Sequence, residues 1–83
     1  MSESPKIRVC KAAIAKELAG TDLYHSELFE RVRSLTGHGR LVFERALYEM
    51  IGSMDVERDR RELRVVYRLT SRGRASWLIE DSA

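Results

Sequence analysis

The spacing of apolar residues changes once along this 83-residue chain, and that change restricts the folds open to it. As far as Ile51, apolar side chains recur every three or four positions, which is the period of an amphipathic helix. From Met54 to Leu69 they mostly alternate with charged residues, which is the period of a strand with one buried face. The sequence therefore predicts a helical region followed by a β-hairpin.

Three helices are predicted before the change of period, and a short one after it. Pro5 suits the opening of the first helix and Gly20 its end, while residues 1–5 are expected to fray. Ser26 is a favourable N-cap for the second helix, and the turn TGHG at 36–39 precedes the third. Thr70 is placed to cap the last helix. The predicted helices are 6–19, 26–35, 40–51 and 71–80.

The hairpin is predicted over 54–69, with Arg60 and Arg61 at its tip. That tip pairs Val56 with Val65 and Met54 with Tyr67 on the buried face. It also pairs Glu57 with Arg64 on the outer face, where the opposite charges attract. The dipeptide Leu23-Tyr24 is expected to form a connector or a minor strand.

Helix, helix, turn, helix, hairpin and short helix is the order of an α+β winged helix-turn-helix domain. We expect one such domain over 1–83, with a two-stranded antiparallel wing. A single cysteine, Cys10, excludes an internal disulfide and fits a reducing compartment. No apolar run reaches the roughly 18–20 residues of a membrane span. We therefore expect a cytoplasmic, nucleoid-associated protein without a membrane partner.

Arginine is concentrated in and just after the predicted hairpin. Seven arginines and two acids lie between Arg58 and Arg74, a net charge of +5, whereas the whole chain carries only +2. Charge concentrated on so small an element is typical of a surface that binds a polyanion, and double-stranded DNA is the first candidate. Charged side chains on an edge strand also deter aggregation, which is the other explanation.

Two stretches resemble known regulators. The run from Ser26 to Arg58 resembles the helix-turn-helix and first wing strand of bacterial winged-helix repressors. The runs DRR at 59–61 and YRLTSRGRA at 67–75 resemble the wing of MarR-type and PadR-type regulators. In those families an Asp-Arg pair lies at the wing tip, and Leu-Thr-x-x-Gly-Arg leads into the next helix. The matching residues are Asp59, Arg60, Arg61, Leu69, Thr70, Gly73 and Arg74.

In a winged helix the third helix enters the major groove and the wing contacts phosphates or the minor groove. We expect the outward residues of helix 40–51, its start and the wing to contact DNA. The candidates are His38, Arg40, Arg45, Tyr48, Arg58, Arg60, Arg61 and Arg64. For Arg40 and Arg45 the alternative is solvated surface arginine, the latter paired with Glu49 one helical turn away.

The sequence contains no catalytic or metal-binding motif, so we expect neither an enzyme nor a cofactor or metal site. The leading hypothesis is a transcription regulator that binds DNA, with a homodimer expected on a palindromic or repeated site. One alternative is a protein-interaction module without DNA binding; its surface is Leu41, Val42, Glu44, Glu49 and Trp77. Another is a nucleoid or replication-accessory protein that binds duplex without sequence preference. Outside the protein-interaction alternative, Trp77 is expected either to cover the base of the core or to form part of a homodimer surface.

Overall fold

The structure is a computed structural model that describes residues 3–78. Its elements, in chain order, are α1 (Pro5–Gly20), β1 (Leu23–Tyr24), α2 (His25–Thr36), α3 (Arg40–Gly52), β2 (Val56–Arg61), β3 (Arg64–Leu69) and α4 (Ser71–Trp77). This is an α+β fold with the predicted order of helices and hairpin, in the arrangement of a winged helix. Within residues 3–78 no helix is both long enough and apolar enough to cross a membrane.

The helices begin and end close to the predicted positions. Pro5 lies in the first turn of α1, as expected. The N-cap of α2 is Tyr24 and not Ser26, because the chain passes directly from β1 into the helix. The backbone N–H of Tyr24 donates to the Glu27 carboxylate at 3.2 Å, which replaces the predicted serine cap. At the other end of α2, Gly37 adopts a left-handed φ of 76°, and its N–H donates to the carbonyl of Arg33.

The core lies where α1 packs against α2, α3 and the sheet. Its members are apolar residues at helical or alternating spacing, and most are less than a tenth exposed. The largest fully buried side chains are Phe43, Ile14, Leu18, Leu28, Leu47, Met50, Val32, Val56 and Cys10. Leu35 also fits the apolar spacing of α2 but is 53% exposed. In the last turn of that helix it is Thr36, not Leu35, whose side chain contacts α1, at Cys10.

The sheet has three antiparallel strands in the order β1-β3-β2, so the minor strand at Leu23-Tyr24 pairs with the hairpin. The predicted hairpin register is wrong. Val56 pairs with Leu69 and Arg61 with Arg64, which makes Glu62 and Leu63 the two residues of the turn.

Packing explains the register that forms. It places Leu69 opposite Val56, so that both are buried, whereas the predicted register extended the pairing to the exposed Met54. Glu62 and Leu63 have positive φ values of 51° and 69°, as in a type I′ turn, whose twist matches that of the strands it joins. Because the shift is even, each side chain keeps its predicted side of the sheet.

The segment before β2 also differs from the prediction. Met54 was expected on the buried face of a strand, but it is 71% exposed and has a φ of 68° in the turn between α3 and β2. Asp55 is the buried residue here, at 7% exposure. Its carboxylate accepts hydrogen bonds from Ser53 Oγ at 3.0 Å and Trp77 Nε1 at 3.1 Å.

Asp55 and Thr70 together attach α4 to the rest of the domain. Thr70 N–H donates to the Asp55 carbonyl at 3.0 Å, and its side chain accepts from Gly73 N–H at 2.9 Å as the N-cap of α4. Trp77 is half-buried against the core, which fits one of its two predicted positions. The helix ends at Trp77 with Leu78 as its C-cap, which is earlier than the predicted end at Glu80. Positions 79 and 80 of that prediction lie outside the described residues, as do Met1 and Ser2 of the expected frayed terminus.

Candidate nucleic-acid interface

The exposed side of α3 carries a stripe centred on Leu41, which is 84% exposed, and Tyr48, which is 49% exposed. Arg40 lies on one side of this stripe and Arg45 on the other, as the helical period requires. His38 is half-buried just before the helix, and its backbone N–H donates to Thr36 Oγ1 at 3.2 Å. No side chain caps the start of α3 at Gly39, so its first N–H groups are left without a side-chain acceptor.

Acids within α3 hold both arginines of this surface. Arg40 lies 3.8 Å from Glu44, and its guanidinium lies 4.9 Å from the ring centre of Phe29. Arg45 Nε donates to Glu49 at 3.2 Å, which is the pairing foreseen as an alternative to DNA contact. Both arginine side chains nevertheless remain more than half exposed. They are therefore oriented and still accessible.

Glu49 also joins α3 to α1 through Lys11, at 2.8 Å. Hydrogen bonds from Lys11 and then Arg45 lower the pKa of the Glu49 carboxyl. Burial opposes the charged form of Lys11, but its contacts with Glu3 and Glu49 outweigh that effect and raise its pKa. Glu49 is therefore a structural partner of two cations, and its negative charge is largely offset.

The hairpin has two faces of different electrical character. We define the outer face as Glu57, Asp59, Arg61, Arg64, Val66 and Arg68, and the inner face as Val56, Arg58, Arg60, Val65, Tyr67 and Leu69. On the outer face Arg68 lies 3.6 Å from Glu57 and 3.4 Å from Asp59, so this ladder is close to neutral. The acids of β2, Glu57 and Asp59, therefore form their ion pairs on the face of the hairpin that does not face the core.

Two of the predicted DNA contacts are turned back toward β1. Arg61 forms an ion pair with Asp22 at 3.0 Å, and the guanidinium of Arg64 lies 3.7 Å from the ring centre of Tyr24. Both belong to the outer face, so they are positioned by the residues around the minor strand. Sequence reasoning placed Arg61 at the tip and did not anticipate either contact.

Arg58 and Arg60 lie on the inner face, and neither forms an ion pair within residues 3–78. Arg58 pairs directly with Tyr67 across the hairpin, and His25 joins the Tyr67 hydroxyl to Glu44 of α3. Burial raises the pKa of Tyr67, the charges of Tyr48 and Glu44 raise it further, and Arg58 lowers it. The inner face of the hairpin and the exposed side of α3 therefore meet around Tyr67.

His25 is a residue of this region that the sequence did not reveal. Its Nδ1 lies 3.0 Å from the Tyr67 hydroxyl, and its Nε2 lies 3.8 Å from Glu44. Its ring packs edge-on against Phe43, with 5.7 Å between ring centres. Through these contacts the first residue of α2 links α3 to the central strand. No local sequence pattern indicates that a histidine at the start of a helix will contact Glu44 and Tyr67, which lie far along the chain.

The site holds no constellation of metal ligands: among residues 3–78, no three or more His, Cys, Asp or Glu side chains cluster in a way that could bind an ion. What the interface offers is arginine, tyrosine and backbone N–H groups, which suit the recognition of phosphate and base edges.

No protein-family model matches the sequence, and no curated protein matches it. The fold is similar to that of a transcriptional regulator from Clostridium thermocellum whose structure has been solved. The TM-score is 0.73 at 20% sequence identity, and the match covers 90% of this chain and 82% of that one. At this level of identity the likeness shows that the two chains share a fold.

Proposed function

We propose that this protein is a transcription regulator that binds double-stranded DNA, with α3 in the major groove and the inner face of the hairpin on the adjacent phosphates. The observation that carries the proposal is the meeting of two surfaces around Tyr67. One is the exposed stripe of α3, which His25 links to Tyr67 through Glu44. The other is the inner face, where Arg58 lies opposite Tyr67 and where neither Arg58 nor Arg60 has an ion-pair partner in the described chain. The fold shared with a transcriptional regulator supports the same role.

Different residues of α3 contact different parts of the DNA in this proposal. Arg40 and Arg45 are placed to reach base edges or flanking phosphates, and a bidentate arginine–guanine contact gives about 1–3 kcal/mol of discrimination. Leu41 can contact a thymine methyl group, and Tyr48 can donate a hydrogen bond to phosphate. Because Glu44 and Glu49 offset the arginine charge, α3 should contribute more to sequence choice than to salt-dependent attraction.

The start of α3 supplies a further phosphate contact. Its first N–H groups have no capping side chain, and a helix N-terminus attracts anions through these groups and its dipole. His38 lies one residue before the N-cap, where its side chain can add a hydrogen bond to the same phosphate. This contact would set the depth of the helix in the groove.

The hairpin supplies most of the salt-dependent affinity. Arg58 and Arg60 can neutralise phosphates without first breaking an ion pair. Arg61 and Arg64 would have to leave Asp22 and the Tyr24 ring to do so, and we therefore assign them a secondary role.

The test is the salt dependence of duplex affinity for two double variants that lose the same charge from opposite faces. Each phosphate contact contributes about 0.9 to the slope of log K against log salt. Arg58→Ala/Arg60→Ala should therefore flatten the slope by about one to two units. Arg61→Ala/Arg64→Ala is the matched control and should flatten it by less than half as much. Equal losses would refute the division between the faces.

Genomic binding-site selection with the purified protein tests the wider proposal. A recovered motif would support sequence-specific regulation, and its symmetry would report whether two copies bind together, as we propose. Equal competition by random duplex would favour a non-specific DNA binder. Absence of binding to any duplex at low salt would overturn the proposal and favour a protein-interaction module. In the structure Trp77 instead packs against the core and donates a hydrogen bond from Nε1 to Asp55.

A further inference from the structure

The tip of the hairpin presents an apolar side chain where the sequence suggested arginine. Leu63 is 91% exposed, and it occupies the second position of the turn with a φ of 69°. Both properties are unfavourable, since a large apolar side chain is left in water and a non-glycine residue is held in the left-handed region. Asn-Gly would form the same turn without either cost. An unfavourable conformation at an exposed tip is a reason to look for a function.

Contacts on either side of the turn also hold the hairpin tip in place. Arg61 and Arg64 form the last pair of the hairpin, directly before and after the turn. Their contacts with Asp22 and the Tyr24 ring hold the outer face of the hairpin to the β1 region. Leu63 is therefore presented by a supported element, so that little conformational entropy remains to be lost when it binds a partner.

The dimensions of B-DNA limit where such a tip can bind. A two-stranded ribbon fits the major groove, which is about 12 Å wide, but not the minor groove, which is about 6 Å wide. A single side chain at the end of a ribbon does enter the minor groove, and apolar side chains there can wedge between base steps. A·T-rich DNA suits such a wedge, because its minor groove lacks the guanine amino group and because TA steps unstack easily.

We propose that Leu63 inserts into the minor groove of A·T-rich DNA beside the site occupied by α3, and that this contact selects sequence at positions α3 does not reach. The inference rests on the proposed function, since it assumes duplex binding. The inference goes beyond the proposed function by assigning an apolar contact to the hairpin tip, while Arg58 and Arg60 bind the phosphates next to that tip. Glu62 opposes the contact, because its carboxylate lies at the same tip and repels phosphate.

Two turn variants separate the side chain of Leu63 from the conformation of the turn. Glu62→Asn keeps Leu63 and removes the carboxylate, so it should bind duplex at least as tightly as wild type. Glu62→Asn/Leu63→Gly gives the favourable Asn-Gly turn without the apolar side chain. It should raise the thermal midpoint of unfolding and yet bind about 10-fold more weakly. A stabilised hairpin that binds more weakly cannot be explained by loss of structure.

A second measurement changes only the DNA. Replacing G·C by inosine·cytosine at positions flanking the α3 site removes the minor-groove amino group and leaves the major-groove edge intact. Wild type should bind such a duplex more tightly, and Glu62→Asn/Leu63→Gly should not respond. Equal affinities of the two turn variants, or no response of wild type to inosine, would overturn the role of Leu63 and leave the proposed function standing. Failure of wild type to bind any duplex would overturn the proposed function itself.

Discussion

The close approach of Gly73 to the backbone of Asp55 makes a strong prediction about stability. A Cβ atom at position 73 would lie 2.1 Å from the Asp55 carbonyl oxygen and 2.7 Å from Cδ1 of Leu69. The leucine methyl group can rotate away, but the carbonyl belongs to the backbone and accepts hydrogen bonds from Thr70. Gly73→Ala should therefore displace α4 and destabilise the domain.

The size of the effect is a balance of opposing contributions. Alanine in place of glycine gains up to about 1 kcal/mol of helix propensity. Displacing α4 strains the packing by about 1–3 kcal/mol. It also weakens the hydrogen bonds from Thr70 N–H and Trp77 Nε1 to Asp55, each worth about 0.5–1.5 kcal/mol. We expect a net loss of about 2–4 kcal/mol, which for a domain of this size lowers the thermal midpoint by at least about 8 °C.

Urea unfolding followed by circular dichroism and by Trp77 fluorescence would measure this loss. Gly20→Ala is the matched control, because no atom lies within 4 Å of a Cβ at that helix end. It should change the free energy of unfolding by less than about 1 kcal/mol. If Gly73→Ala is as stable as Gly20→Ala, the steric argument is wrong.

Two further variants test the contacts of the sheet and of α4. Thr70→Val removes the N-cap bond to Gly73 N–H and the bond to the Met54 carbonyl, and should cost about 1–2 kcal/mol in urea unfolding, whereas Thr70→Ser should cost less. Tyr67→Phe removes the hydrogen bond to His25 and should cost about 0.5–1.5 kcal/mol at neutral pH. Because burial raises the pKa of Tyr67 above 10.0, the unfolded chain loses that proton first, and wild-type stability should fall as the pH rises past about 10. Tyr67→Phe should show a smaller fall, and an identical alkaline loss in both proteins would contradict the burial of this hydroxyl.

The helices and the existence of the hairpin could be predicted because their signals are local. The spacing of Ile7, Cys10, Ile14 and Leu18 lies within one helix, and all four residues are buried in α1. Glycine after α2 and proline at the start of α1 act on neighbouring residues in the same way. Such signals do not depend on what the rest of the chain does.

The hairpin tip was predicted wrongly because it depends on pairing between strands. Arg60-Arg61 and Glu62-Leu63 each contain at least one charged residue, so either pair could form the exposed turn of the hairpin. Neither pair contains the Asn or Gly that is typical of such a turn. The choice is decided by the burial of Leu69 opposite Val56, which becomes visible only when the sheet packs on the helices.

The candidate interface shows the same limit. Arginine counts identified the hairpin but could not separate Arg58 and Arg60 from Arg61, whose partner Asp22 lies 39 residues earlier. Asp55 looked like an exposed member of an alternating strand. Its burial follows from the turn at Met54 and from Trp77, which no local pattern connects to it.

The alternation of the hairpin has a consequence for how its length can vary during evolution. Inserting a single residue into β2 would move Arg58 or Arg60 to the side occupied by Glu57 and Asp59, where acids would offset its charge. Insertions of two residues in each strand would instead lengthen the hairpin and preserve both surfaces. Descendants of this chain should therefore tolerate longer or shorter hairpins in even steps, while odd steps should be removed by selection.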